Sequence, residues 1–253
     1  MEATEILKIN KERWEVSAER FFGRTALPEY GPHSFNEEKL QLFDSIRDKK
    51  VLDIGCGSGH SLQYMGREGA KELWGLDLCT KQIETASNVL QDQQVEVTLV
   101  ESPMEENPGL PSNYFDIVYS IYALGWTTNL SLTFSNIFSY LKPGGVFIFS
   151  WEHPLHDRLK YEESSLQESS FIFNKPYVNE GPEYNEAWHN LAVIHHRKLS
   201  TYINALTEAG FRIEKVIDDV YLPEEHSEDP ARWYSTQKAN LVPATFIIKA
   251  TKK

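Results

Sequence analysis

Val51-Leu52-Asp53-Ile54-Gly55-Cys56-Gly57-Ser58-Gly59-His60 is the stretch whose reading decides the fold. Its largely apolar start predicts a buried strand, the three glycines a tight turn, and the residues beyond them a helix. Glycines at 55, 57 and 59 remove the Cβ atoms that would hold a ligand off the backbone. A helix beginning there aims its unpaired N–H groups at the same place. The turn therefore predicts a cradle for a small polar molecule. The dinucleotide fingerprint G-x-G-x-x-G asks for glycine at 60, where His60 stands, and no G-K-[ST] occurs in the loop to make it a P-loop. What is written is D-x-G-x-G-x-G, with Asp53 two residues before the first glycine.

Outward from this turn, strand and helix patterns alternate. Residues 5–22 read as an amphipathic helix with Trp14 on its buried face, and Ser34 or Asn36 can cap a helix reaching Ile46. After the glycine turn come a helix to Glu68, a strand over 71–78, a helix from Thr80, and strands over 95–100 and 115–120. A helix over 129–141 and a strand over 146–150 follow, then a helix over 199–209 and strands over 211–218 and 244–250. Such alternation predicts an α/β, doubly wound parallel sheet.

Four motifs now stand in a telling order: Val51 to Gly59, Leu73-Trp74-Gly75-Leu76-Asp77, Asn113-Tyr114-Phe115-Asp116-Ile117-Val118-Tyr119-Ser120, and Leu141-Lys142-Pro143-Gly144-Gly145. Through them the chain resembles the class I S-adenosylmethionine-dependent methyltransferases, in particular their small-molecule (type 11-like) group. The resemblance covers about residues 36–150 and 199–251. It implies a Rossmann-like doubly wound sheet of seven strands in the order 3-2-1-4-5-7-6, the last strand antiparallel. It also implies a methyltransferase with S-adenosyl-L-methionine (SAM) as cofactor. The implied domain plan is an N-terminal lid over 1–35, a SAM-binding domain over 36–150 and 199–253, and a substrate-cap insertion over 151–198.

In such sheets ligands bind beyond the strands' carboxyl ends where the order reverses, so Gly55 and Ser120 are expected at one crevice. Asp77 is expected to accept hydrogen bonds from a ribose diol. Asp53 either braces the loop or reaches the cofactor's amino group, and Cys56, Gly57 and Gly59 line it. Leu78 and Ser102-Pro103-Met104 are expected under the adenine. Tyr30 either belongs to a segment packed on the core or, by resemblance, reaches the methionine carboxylate. Asp116 and Pro143-Gly144-Gly145 read as structural, at the far end of the sheet.

A net charge of −12 and a pI near 5.2 argue against a nucleic-acid partner, because phosphate backbones are bound by clustered Lys and Arg. A small-molecule substrate is expected, with no membrane partner, in a monomer or homodimer. Two unpaired-looking cysteines suggest neither disulfide nor zinc. No signal peptide and no long apolar run is visible, which predicts a cytoplasmic protein. The segment 151–198 holds Trp151, Tyr161, Phe171, Phe173, Tyr177, Tyr184 and Trp188 with five of the eight histidines, and reads as a cap with an aromatic-lined pocket. His153, just beyond a strand's carboxyl end, is the candidate base or substrate-orienting group, against a purely structural histidine. His195 and His196 point to opposite faces of a strand, one expected buried and one solvated, and no metal is expected. A SAM-binding module without activity, an RNA methyltransferase and a nicotinamide-dependent oxidoreductase are the competing readings.

Overall fold

The computed structural model describes residues 1–163, 170–186, 191–222 and 229–253. The chain begins with α1 (Ala3–Ser17) and α2 (Glu37–Leu40), followed by β1 (Lys50–Ile54), α3 (His60–Arg67) and β2 (Glu72–Asp77). Then come α4 (Thr80–Leu90), β3 (Glu96–Glu101), β4 (Phe115–Ile121), α5 (Leu130–Tyr140) and β5 (Leu141–Glu152). Two short hairpins, β6 (Leu159–Glu162) with β7 (Ser170–Phe173) and β8 (Gly181–Asn185) with β9 (Ala192–His196), fill the insertion. The chain closes with α6 (Leu199–Glu208), β10 (Phe211–Ile217), α7 (Thr236–Ala239) and β11 (Thr245–Lys252).

Seven strands form one sheet in the order β10-β11-β5-β4-β1-β2-β3. β11 runs antiparallel to both neighbours and the remaining pairs are parallel. This is the expected order 3-2-1-4-5-7-6 once the hairpin strands are set aside. Because side chains alternate across a strand, Phe147 and Phe149 enter one apolar layer with Phe134, Tyr202 and Phe246. Ile148 enters the opposite layer with Val51, Leu62, Met65, Leu73 and Ile247. Burial on both faces explains why the parallel strands read as near-continuous apolar runs. Each such side chain contributes about 1.5–3 kcal/mol relative to exposure.

Three differences from the sequence reading have local causes. The helix expected to reach Ile46 stops at Leu40, because Gln41 turns left-handed at φ +48° and Glu37 takes over the following amides. Its carboxylate accepts from Leu42 N at 3.0 Å and Phe43 N at 2.9 Å. β5 begins at Leu141, since the Lys-Pro-Gly-Gly turn is absorbed as an irregularity opposite Phe115 to Ile117. It runs on to Glu152 because Trp151 and Glu152 pair with Phe246 and Thr245 of β11.

The aromatic residues expected to line the cap are placed differently from one another among the described residues. Trp151 belongs to the core, Phe173 and Tyr184 are exposed, and Trp188 lies outside the described residues. Asn10 of α1 ties β9 to the helix. The Asn10 amide donates to Val193 O and its oxygen accepts from Val193 N, both at 2.9 Å, imitating a strand neighbour. Asn10 is 1% exposed, so water replaces neither bond. Asn10→Ala is expected to cost about 2–4 kcal/mol in urea unfolding, because two buried backbone groups lose their partners. A loss too small to measure sinks this account of the docking. No described helix is long and apolar enough to cross a membrane.

Candidate active site at the carboxyl ends of the strands

β1 ends where the sheet order reverses, and its backbone turns at once through Gly55 (φ +75°), Gly57 (φ +50°) and Gly59 (φ +80°). These dihedrals are costly for any residue with a Cβ. The amides of Gly55 and Cys56 both donate to Leu76 O, at 2.7 and 3.0 Å, which clamps the loop to β2. Gly57 faces open space: a Cβ built there meets nothing within 4 Å. Gly55 and Gly59 are different, since a Cβ at either would press on Ala123 or Ala86. Gly57 is thus the open floor of the cradle, and the other two are packing positions.

Asp77 closes the turn from the neighbouring strand. Its Oδ2 accepts from Gly57 N and its Oδ1 from Cys79 N, both at 2.9 Å. Asp77 O also accepts from Ser102 N at 2.9 Å, so one residue joins loop, β2 and β3. Asp53 is 2% exposed, and its Oδ1 has no hydrogen-bond partner among the described residues. Burial first, then the Asp77 charge, push the Asp53 carboxyl well above the usual range, against the Tyr119 phenol beside it. Burial likewise raises Asp77, against the backbone amides that it accepts from. Two crowded carboxylates of raised pKa beside bare backbone favour a ligand that brings positive charge.

The remaining expected residues fall into two groups. Leu78 is half-buried beside Asp77, Ser102 is buried with its hydroxyl on Pro103 O at 3.2 Å, and Met104 reaches toward Gly55. Cys56 is buried against β2, where its sulfur would touch a Cβ at Gly75. Tyr30 and Ser120, by contrast, have spent their hydroxyls. Tyr30 is fully buried and donates to Glu37 Oε2 at 2.6 Å. Ser120 does meet the turn, but its Oγ donates to Ile54 O at 2.7 Å and is fully buried.

His153 is 5% exposed. Its Nδ1 accepts from Leu155 N at 3.3 Å, its ring edge meets Phe246, and burial lowers its pKa. These contacts join the start of the insertion to β11. His195 and His196 are both buried, not one of each, because one face of β9 packs toward α1 and His196 Nε2 meets Tyr177 O at 3.1 Å. Asp157, Glu183 and His196 lie near one another, but Arg158 pairs with both carboxylates and Lys175 with Glu183 at 2.6 Å. Asp116, at the far end of β4, accepts from Lys50 N and pairs with Lys142 at 2.7 Å, the structural role expected of it.

Two features carried no sequence signal. Glu15 of α1 accepts from Thr80 N at 2.9 Å and Lys81 N at 3.2 Å, capping α4 beside Asp77. Tyr122 follows β4 with φ +55°, its hydroxyl 2.6 Å from Thr245 Oγ1, under a Gly31 whose Cβ would overlap its ring. Gly125 admits no side chain, because a Cβ there would lie 1.9 Å from the Trp151 ring.

Comparison with known proteins places this geometry. A family model described as a methyltransferase domain matches residues 52–149. An uncharacterized protein of Haemophilus influenzae is 31% identical over 234 residues, 87% of this chain and 90% of that one. The malonyl-[acyl-carrier protein] O-methyltransferase of Enterobacter lignolyticus is 33% identical over 136 residues, and the chain spans 51% of its length. A crystal structure of a putative S-adenosylmethionine-dependent methyltransferase from Listeria monocytogenes is similar with a TM-score of 0.71 and 25% identity, covering 86% of this chain and 97% of that one.

Proposed function

Since the chain belongs to the class I S-adenosylmethionine-dependent methyltransferases, we propose that it methylates an oxygen, nitrogen or carbon atom of a small-molecule metabolite. The cofactor supplies a methyl group on a positively charged sulfur, already activated for displacement. The observation that carries the reading is the orphaned Oδ1 of buried Asp53 beside the open floor at Gly57, which fits a ligand bearing an ammonium and a sulfonium. In this reading Asp77 accepts from the ribose diol, Asp53 from the amino group, and Leu78, Ser102, Pro103 and Met104 lie along the adenine. Gly55, Cys56, Gly57 and Gly59 present backbone to the ligand. Tyr30 and Ser120 support the site from behind.

The protein's own work is then alignment and exclusion of water, worth about 7–11 kcal/mol in favourable cases. The acidic surface supports a small acceptor over nucleic acid. The Enterobacter relative, named for O-methylation, supports the oxygen alternative. SAM, or its demethylated product, at a hundredfold excess over its Kd is expected to add about 2.7 kcal/mol of stability, with no comparable effect of NAD(H). Label from methyl-tritiated SAM is expected in the small-molecule fraction of a cell extract. Label confined to RNA or protein refutes the proposed acceptor class.

A further inference from the structure

Glu152 ends β5 at the same edge as the glycine turn, opposite Thr245 of β11. The other acids at this edge have partners that explain them. Asp77 holds the loop, Asp53 is assigned above to the cofactor's amino group, Glu101 pairs with Lys11 at 2.5 Å, and Glu105 accepts from Thr128 N and Oγ1. Glu152 instead receives the indole N–H of Trp233 on Oε1, and the Tyr234 hydroxyl faces the same carboxylate. No ion pair to it is found among the described residues. Tyr122 stands alongside, tied through Thr245 Oγ1 to Pro32 O at 2.8 Å. A partly buried carboxylate walled by aromatic rings and neutral donors at a strand's reactive end has no structural debt that requires its charge.

Resting on the methyltransferase reading, we infer that Glu152 is the base that takes the proton from a hydroxyl or amine acceptor held against Tyr122, Trp233 and Tyr234. The acceptor's proton passes to Oε2, since Oε1 holds the indole. The acceptor's electron pair bonds the methyl carbon, and the carbon–sulfur bond breaks with its pair on sulfur. The carboxylic acid afterwards releases the proton to water. The inferred acceptor is therefore a neutral hydroxy or amino compound with an apolar body, as opposed to a carbon nucleophile that arrives without a proton to lose.

The charged and titratable groups around Glu152 suit this work. Burial first, then Asp157, raise its carboxyl to about 7, against the Trp233 N–H, Lys238 of α7 and the Tyr234 hydroxyl. Tyr122 and Tyr202 also feel its charge, and both stay protonated because burial raises them. A base whose pKa lies near the working pH is the most effective one.

The test uses the full chain, methyl-tritiated SAM and the small-molecule fraction of a cell extract. Glu152→Gln is expected to bind the demethylated cofactor as the parent does, yet to lose about 10²- to 10⁴-fold in methyl incorporation. The parent's rate is expected to rise with pH through a midpoint near 7, and Trp233→Phe to move that midpoint upward by removing a donor that favours the carboxylate. Tryptophan fluorescence is expected to titrate across neutral pH in the parent and not in Glu152→Gln, a readout independent of turnover. Full incorporation by Glu152→Gln overturns the inference alone, as does a parent without the fluorescence transition. A parent that labels no small molecule overturns the acceptor class and the inference together.

Discussion

Asp77→Ala is expected to abolish the thermal stabilisation that SAM or its demethylated product is proposed to give the parent chain. Two losses coincide in this substitution. The ribose diol loses its acceptor, and the Gly57 and Cys79 amides lose the oxygens that now hold the loop at 2.9 Å. Hydrogen bonds to a charged group contribute about 1.5–3 kcal/mol each, so a lost pair lowers affinity about 10²- to 10⁴-fold. Calorimetric titration with the demethylated cofactor measures this directly, and an unchanged thermal shift refutes the ribose assignment. The pH dependence has a definite sign. Asp53 and Asp77 are raised in the folded chain, so the fold binds protons that the unfolded chain releases. Stability from this pair is therefore lost as pH rises from the ordinary carboxylate range through the raised values. A cationic ligand favours the ionised pair, so ligand-induced stabilisation grows with pH over the same window.

Gly55→Ala is the second large effect, and it acts on the fold itself. A φ of +75° costs a non-glycine residue about 1–3 kcal/mol. The added Cβ also lies 2.3 Å from the Cβ of Ala123, and such overpacking costs about 1–3 kcal/mol more. The sum, about 2–6 kcal/mol, is measurable in urea unfolding. Ala123→Gly in the Gly55→Ala background recovers the steric part and leaves the dihedral part. A Gly55→Ala chain as stable as the parent contradicts both contributions.

The strand, turn and helix at 51–67 and the acid ending β2 were legible because each rests on neighbours in sequence: apolar runs, glycines, a cap. The sheet order was legible only through four motifs taken together. The hydroxyl partners of Tyr30 and Ser120 were hidden from the sequence for a common reason. A hydroxyl's partner is a matter of tertiary approach, and theirs proved to be the Glu37 carboxylate and the Ile54 carbonyl, the latter 66 residues away. The helix that stops at Leu40 shows the same limit, since Gln41 turns left-handed and the Glu37 side chain serves amides beyond the helix. His195 and His196 obey strand alternation, but alternation does not reveal that both faces of β9 are covered. Glu152 was invisible as a site residue because a lone glutamate after a strand carries no pattern. Only the ring of Trp233 and Tyr234, some eighty residues later, marks it.

Helix α4 has no cap of its own, for Cys79 offers its first turn no side-chain bond. The acid that answers those amides is Glu15, 65 residues upstream of Thr80. A fragment trimmed to the parallel sheet alone would leave that helix start bare, next to the carboxylate of Asp77. The opening residues are thus a keystone of the corner where α4 begins beside Asp77, and shortening the chain there is expected to disturb a turn that the deleted piece never covers.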